Sequence, residues 1–244
     1  LCPSFFCAKF RSHDSKYESL NVLSIIIPTL NCRDDLARTL EAFSLRPDAW
    51  EIVVSDGGSE DGTVEMAELA KVRTLIGKRG RGRQLSAGAR AAHGHWYLFW
   101  HADTQPQPGW AALVERFIKN PDNDFHVAYF MLALNDPDPA ARRVESLANW
   151  RAQNLSLPYG DQGLLISANY YDHLGGYKNL DLMEDVDLVR RIGSKRLHAL
   201  PSAAVTSAAK YRRDGWWARP VKNVTCLCLY LLGAPISMIV KLYR

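Results

Sequence analysis

Between Leu23 and Lys119 the chain alternates four times between a short apolar run and a segment of helical periodicity, which leaves few folds open. Leu23 to Ile27 is a β-branched run stopped by Pro28, and Asp34 to Phe43 then sets Leu36, Leu40 and Phe43 on one helical face. Trp50 to Ser55 with Thr63 to Ala70, Val72 to Ile76 with Gln84 to Ala92, and Trp96 to Trp100 with Trp110 to Lys119 repeat the unit. Strands joined by helices must pair in parallel, so the pattern predicts an α/β fold with a doubly wound, mostly parallel sheet and helices on both faces. After Asn120 it changes to an apolar stretch, Phe125 to Leu134, and a helical segment from Ala140 to about Leu155 behind Asp136-Pro137-Asp138-Pro139, where a mixed sheet is expected. No Gly/Ser-rich linker and no internal repeat divides the chain. The expected organisation is a tail over 1–21, one domain over 22–213 with halves 22–120 and 121–213, and an apolar helical segment over 214–244.

With 47% apolar and 23% charged residues, disorder, collagen and coiled coil are excluded for the chain as a whole. Thirty Lys and Arg against 26 Asp and Glu give a charge of +4, too mild to call for nucleic acid but compatible with an anionic ligand. Five cysteines, an odd number without CxxC spacing, read as reduced thiols in a cytoplasmic protein. Leu1 to Leu20 lacks periodicity and the long apolar core of a secretory signal, so a disordered tail is expected there. Asn223 to Val240 is free of charge and flanked by Lys222, Lys241 and Arg244. Its length sits at the lower edge of a membrane span, but Gly233-Ala234-Pro235 interrupts it, which favours two helices packed on the domain. A surface in peripheral contact with a membrane and a true span stand as the other readings.

In open α/β sheets ligands collect at the carboxyl ends of the strands, and here those ends are polar. The first run ends in Pro28-Thr29-Leu30-Asn31, the second in Asp56-Gly57-Gly58-Ser59-Glu60-Asp61-Gly62, the fourth in His101-Ala102-Asp103-Thr104. Asp56 is suited to accept hydrogen bonds from a base or ribose, or to form a plain Asp-Gly turn. His101 and Asp103 share one side of an extended segment, where a carboxylate suits Mg²⁺ or Mn²⁺; a solvated loop is the alternative. Gly80-Arg81-Gly82-Arg83-Gln84 precedes a helix and reads either as a flexible pair of guanidiniums for a diphosphate or as a basic surface loop. It is no dinucleotide fingerprint, because Leu85 stands where the third glycine belongs. Glu184 and Asp185 open a helix, as a general base or as dipole-matched first-turn acids. Lys210, Arg212 and Arg213 form a last basic cluster, to close over a diphosphate or to be solvated.

From about Val22 to Arg213 these segments together resemble the family 2 inverting glycosyltransferases of the GT-A fold. Ser24 to Asn31 is similar to that family's opening strand, Val53 to Thr63 to its nucleotide-binding loop, and Glu184-Asp185 to its ED motif. Gly80 to Ala89, His101 to Thr104, Gly160-Asp161-Gln162-Gly163 and Met183 to Val186 further resemble a bacterial subgroup associated with radical-SAM and selenodomain genes or with arsenosugar biosynthesis. The resemblance implies a nucleoside diphosphate sugar donor held along Pro28, Thr29, Asn31, Asp56, Gly57, Gly80, Arg81, Arg83, Gln84, Ala102 and Asp103, with Thr29 and Asp56 on the nucleoside. It implies Asp103 as ligand to a divalent cation, Mg²⁺ or Mn²⁺, and Asp185 beside Glu184 as the catalytic base. The family's metal motif usually begins with Asp, whereas His101 stands there and is the second candidate ligand. Asp161 and Gln162 are expected on the acceptor side, with Trp150 and Tyr159 as stacking residues for an acceptor that is a small molecule or a lipid. The activity implied is sugar transfer to a hydroxyl with inversion. A nucleotidyltransferase acting on sugar phosphates, or a non-catalytic nucleotide-sugar binding protein, are the rivals. The first fits less well, since Pro28-Thr29-Leu30-Asn31 replaces a glycine-rich basic loop after the first strand.

Overall fold

The computed structural model describes residues 23–243, and the expected tail over 1–21 lies outside the described residues. The first half forms β1 (Leu23–Thr29), α1 (Arg33–Ala42), β2 (Trp50–Asp56), α2 (Thr63–Leu69), β3 (Arg73–Ile76), α3 (Arg81–Ala91), β4 (Trp96–Phe99), β5 (Thr104–Pro106) and α4 (Trp110–Ile118). The second half forms β6 (Val127–Leu134), α5 (Pro139–Asn154), β7 (Leu164–Ser167), α6 (Ala168–His173), α7 (Glu184–Ile192), β8 (Leu197–Thr206), α8 (Ala209–Asp214), α9 (Ala218–Leu231) and α10 (Ile236–Tyr243). All eight strands join one sheet in the order β3-β2-β1-β4-β7-β6-β8-β5. β1 to β4 run parallel, β7 is antiparallel to both β4 and β6, and β5 is antiparallel to β8, so the sheet is mixed but mostly parallel.

Alternation along the strands builds two cores. Ile25, Ile27, Val54 and Leu98 face one way, under Leu36 and Phe43 of α1, Ala67 of α2, and Trp110 and Phe117 of α4. Ile26, Val53, Phe99 and Ile166 face the other, under Leu85 and Ala89 of α3, Tyr171 of α6, and Leu188 and Ile192 of α7. Helices therefore cover both faces, as the sequence predicts. A third cluster sets Cys226, Leu227 and Ile239 of the C-terminal helices against Leu182, Met183 and Val186, with the break at Pro235 where it is expected. Among the described residues no helix is long and apolar enough to cross a membrane.

Two elements depart from expectation. The pattern carries no sign of β8, since Leu197 to Thr206 lacks a β-branched run and contains Pro201. The register against β6 slips between Tyr129/Ala199 and Met131/Ala203, so the strand bulges where a proline without an N–H must be housed. Second, α3 begins at Arg81 rather than Gln84, which turns the supposed flexible loop into a helical first turn. Its glycines serve close packing: a Cβ on Gly82 would stand 2.3 Å from the Lys178 carbonyl oxygen, and one on Gly88 would stand 2.5 Å from Cγ2 of Ile26.

Gly88 lets α3 seat directly on β1. Gly88→Ala is expected to cost stability despite alanine's better helix propensity, by a net of about 1–2 kcal/mol, read as a lower urea midpoint at unchanged m-value.

Candidate functional site

The reversal between β4 and β7 decides what meets at the site. Parallel pairing sets Thr29 at the end of β1 opposite Asp56 at the end of β2. Because β7 is antiparallel to β4, with Phe99 facing Leu164, its amino end lies at the carboxyl end of β4. The turn Gly160–Gln162 thus meets His101-Ala102-Asp103, and the Asp161 backbone carbonyl accepts from the Thr206 hydroxyl at the end of β8 (3.4 Å). The His101 to Thr104 segment is pinned by Thr39, whose hydroxyl donates to the Ala102 carbonyl (2.7 Å), and by Trp100 Nε1, which donates to the Thr104 carbonyl (2.7 Å).

Two adjoining cavities open along this edge. One, about 550 Å³, runs past Pro28, Thr29, Arg79, Gly80 and Arg83. The other, about 100 Å³, is lined by Tyr159, Asp161, Asp185, Tyr211, Arg219 and Asn223 among others. Arg81, His101, Asp103, Lys210 and Tyr243 line both.

At this junction the charges are paired. Lys210 Nζ stands 3.0 Å from Asp103 Oδ2, and His101 Nδ1 is 4.0 Å from Asp103 Oδ1. Burial pushes the Asp103 carboxyl up, but the Lys210 ammonium and its hydrogen bond outweigh it, and the pKa falls below the usual value. His101 is driven down to about 4 by burial and the Arg81 charge, so the imidazole is neutral at neutral pH and keeps a lone pair for a ligand. Arg81 Nη1 lies 3.3 Å from Glu184 Oε1, a buried carboxyl raised to about 7 by burial against the opposing pull of Arg81.

Adjacent residues of α7 therefore do different things. Glu184 lines neither cavity and holds Arg81 from behind. Asp185 lines the smaller cavity; its Oδ2 accepts from Gly160 N (2.8 Å) and its Oδ1 from Val186 N (2.8 Å). Met183, immediately before the helix, is held at φ 64°, a left-handed conformation costly for a side-chain-bearing residue. Gly160 is obligatory between the two walls, because a Cβ there would stand 2.7 Å from His101 Nε2 and 3.5 Å from Asp185 Oδ2.

Several expected site residues sit behind the walls. Asp56 is fully buried; its Oδ1 accepts from Gly58 N (2.8 Å) and Ser59 N (2.7 Å), and its Oδ2 from Thr29 Oγ1 (2.8 Å) and Ser59 Oγ (2.6 Å). The carboxylate is spent on its own turn and on Thr29, while Pro28 and Thr29 reach the larger cavity. Gly57 N donates to the Thr29 carbonyl (2.9 Å), and Asn31 Oδ1 accepts from Glu60 N (2.9 Å), which ties the two loops together. Gln84 lines the cavity, yet its Nε2 is held by the Thr29 (2.7 Å) and Ser55 (2.9 Å) carbonyls. Gln162 is buried, donates to the Phe130 carbonyl (3.1 Å) and lines neither cavity. Arg83 bonds Asn179, and Trp150 is exposed on α5, away from both openings. The basic cluster divides: Lys210 joins Asp103, Arg212 pairs with Asp136 (2.7 Å), and Arg213 with Asp214 (2.6 Å).

The walls also contain residues the sequence reading missed. Arg219 and Asn223 of α9 and Val240 and Tyr243 of α10 come from the C-terminal segment, read there for its apolarity alone. Arg219 is buried, pairs with Asp214 (3.1 Å) and donates to Tyr243 Oη (2.5 Å). No local signal marks these polar residues, whose place is set by the seating of α9 on Met183 and Val186.

Sheet order, paired cavities and carboxylates define the GT-A type of nucleotide-sugar fold, and solved structures of that type match. The model for "Glycosyl transferase family 2" matches residues 24–166, more than half of the chain, and the protein belongs to that family. No curated protein matches in sequence. A mannosyltransferase from Pyrobaculum calidifontis, solved with GDP-Man and Mn²⁺, matches at TM-score 0.61 and 16% identity over 84% of this chain and 60% of its own. GalNAc-T7, solved with UDP, GalNAc and Mn²⁺, matches at TM-score 0.60 and 17% identity over 78% of this chain and 44% of its own. Glucosyl-3-phosphoglycerate synthase from Mycobacterium tuberculosis, solved with Mn²⁺, UDP and glucosyl-3-phosphoglycerate, matches at TM-score 0.58 and 18% identity, over 88% and 81%. The chain thus spans less than two thirds of the length of the first two.

The Glu184–Arg81 pair has a pH signature. With a pKa of 4.5 in the unfolded chain and about 7 in the fold, Glu184 binds more protons folded than unfolded, so its contribution to stability falls as pH rises between those values and is level above. Urea midpoints of Glu184→Gln measured against the parent should therefore improve in relative terms from pH 4.5 to 7 and hold constant beyond; a pH-independent difference would contradict the assignment.

Proposed function

We propose that the protein transfers a sugar from a nucleoside diphosphate sugar to an acceptor hydroxyl with inversion at the anomeric carbon. The observation that carries this reading is a carboxylate in one of two adjoining cavities: Asp185 lines the smaller one, which shares Arg81, His101, Asp103 and Lys210 with the larger. The donor lies in the larger cavity, its nucleoside against Pro28 and Thr29, with Gln84 on the same wall and Asp56 holding Thr29 from behind. Arg81 and Lys210 face the diphosphate at the junction, and the acceptor enters beside Asp161 and Asp185. Residues 22–120 supply the donor half and 121–213 most of the acceptor half.

Asp185 takes the proton of the acceptor hydroxyl as its oxygen attacks the anomeric carbon, and the bond to the diphosphate breaks on the opposite face. Gly160 N and Val186 N fix the carboxylate for that task. Arg81, oriented by Glu184, and Lys210 take up the negative charge left on the departing diphosphate. No covalent enzyme intermediate is needed.

A divalent cation, Mg²⁺ or Mn²⁺, fits the donor set at the junction, because an ionised carboxylate and a neutral imidazole stand side by side in Asp103 and His101. Among the described residues no group of three or more His, Cys, Asp or Glu side chains could hold a metal alone, which suits an ion completed by diphosphate oxygens and water. Bound there it neutralises phosphate charge. The ligands of the three solved neighbours, each with Mn²⁺ and a nucleotide or nucleotide sugar, support this reading. The segments quoted above for the radical-SAM or arsenosugar subgroup support that narrower placement, and reduced thiols fit a cytoplasmic site of action.

Peripheral membrane contact through the C-terminal helices belongs to the same proposal. Trp217, Val221, Val224, Cys228 and Leu231 repeat at helical spacing on the exposed side of α9, continuous with Leu232, which is 83% exposed. From Gly215 to Arg244 there is no acidic residue, against Arg219, Lys222, Lys241 and Arg244, a balance suited to anionic lipid.

Asp185→Asn should lower turnover by about 10²–10⁴-fold with donor affinity unchanged, whereas Asp103→Ala should weaken donor binding in the presence of Mn²⁺; nucleoside diphosphate release and calorimetry separate the two. Release of pyrophosphate instead would support a nucleotidyltransferase, and no release from protein that binds donor would support the non-catalytic rival. In flotation with phosphatidylglycerol-containing vesicles the protein should co-migrate, and Val221→Glu with Leu232→Glu should abolish this; equal recovery with and without vesicles would remove the membrane contact.

A further inference from the structure

Three residues lining the smaller cavity carry a buried polar atom without a hydrogen-bond partner: Tyr159 Oη, Asp161 Oδ1 and Asn223 Oδ1. They come from the turn before β7 and from α9, separate parts of the chain that meet only here. A buried polar atom left unpaired costs about 1–3 kcal/mol, and three around one cavity are hard to reconcile with packing alone. They are the features of a binding surface whose partners a ligand supplies.

The charges around the same cavity limit that ligand. Of the cations lining it, Arg81 and Lys210 also line the larger cavity, where the donor diphosphate takes them, and Arg219 faces Asp214 at 3.1 Å. Asp161 and Asp185 have no ion pair among the described residues, and burial raises the Asp161 pKa against the opposing pull of the Arg151 charge. Arg151, the next guanidinium, is engaged over the Tyr159 ring at 3.3 Å and by the Leu157 carbonyl at 2.9 Å. A phosphate or carboxylate placed here would meet two acids and no free cation. Hydroxyl groups suit all three unpaired atoms, since an O–H can donate to a carboxylate or amide oxygen and exchange a hydrogen bond with a phenol.

We infer that the acceptor is a neutral polyhydroxylated molecule, a sugar ring or polyol, whose non-reacting hydroxyls are held by Tyr159, Asp161 and Asn223 while another is presented to Asp185. This rests on the transferase reading above. It adds Asn223, which lies outside the family-matched stretch of 24–166, and gives Tyr159 a hydrogen-bonding hydroxyl in place of the stacking role expected of it.

Transfer assays with donor and Mn²⁺ should use matched probes: methyl β-D-glucopyranoside and methyl α-D-mannopyranoside against glucose 6-phosphate and mannose 6-phosphate. The neutral glycosides are expected to accept sugar and to half-saturate at lower concentration than the phosphates. Tyr159→Phe, which removes only the hydroxyl, and Asn223→Ala should each raise the KM for the neutral probe about three- to tenfold, with kcat and donor Kd unchanged. Preference for the phosphates, or failure of every probe with enzyme that binds donor, would overturn the acceptor class while leaving the transferase reading intact. Absence of donor binding would instead remove the transferase reading, and the acceptor assignment with it.

Discussion

The antiparallel insertion of β7 beside β4 is the constraint on which the site depends. In a wholly parallel sheet every amino end lies at the far edge, and the turn before a strand could not meet the loop after its neighbour. With Phe99 paired to Leu164, the Gly160–Gln162 turn is delivered to His101 and Asp103. The fit is tight enough that Gly160 tolerates no side chain between His101 and Asp185, and Gly163 none against the Trp100 ring, 2.6 Å from where its Cβ would stand. Backbone topology thus brings two walls of opposite chain sense to one edge, and glycine allows them to close.

Charge follows the same division. On the donor side of the junction each acid has a cation: Asp103 has Lys210 and Glu184 has Arg81. An ion pair of this kind restrains the arginine and lysine where the two cavities adjoin. In the smaller cavity Asp185 is held by two backbone N–H groups, which orient its carboxylate. Neighbours in sequence, Glu184 and Asp185 are separated in role because successive residues in the first turn of α7 project about a quarter-turn apart.

Much of this architecture was legible because a single period dominated each segment. The strand runs of the first half and the helices after them are long and unmixed, and the two-core arrangement follows from alternation alone. β8 escaped because half of its apolar residues are alanine and its proline is absorbed by a bulge, a tertiary solution invisible to local pattern. At the site, His101, Asp103, Asp161 and Asp185 are marked by their place after a strand, before one or at a helix start. Asp56 and Gln162 carry the same chemical signal but are buried, hydrogen-bonded within the fold and outside both cavities, whereas Gln84 lines the larger cavity with its amide held by two carbonyls. A buried carboxylate or amide that holds a loop and one that holds a ligand are the same letter in a sequence, and only the tally of hydrogen bonds separates them.

Arg219, Asn223 and Tyr243 show the opposite case, in which letters with no local meaning acquire one through packing. Their helices are held by Cys226, Leu227 and Ile239 against Leu182, Met183 and Val186, the segment that carries the catalytic-base candidate. One cluster therefore fixes both Asp185 and the outer wall of the cavity it faces. The matched family region ends at residue 166, before α7, so this wall is built from a part of the chain that follows it. The same seating turns the apolar stripe of α9 away from the cavity, so that Arg219 and Asn223 face the cavity from the opposite side of the helix.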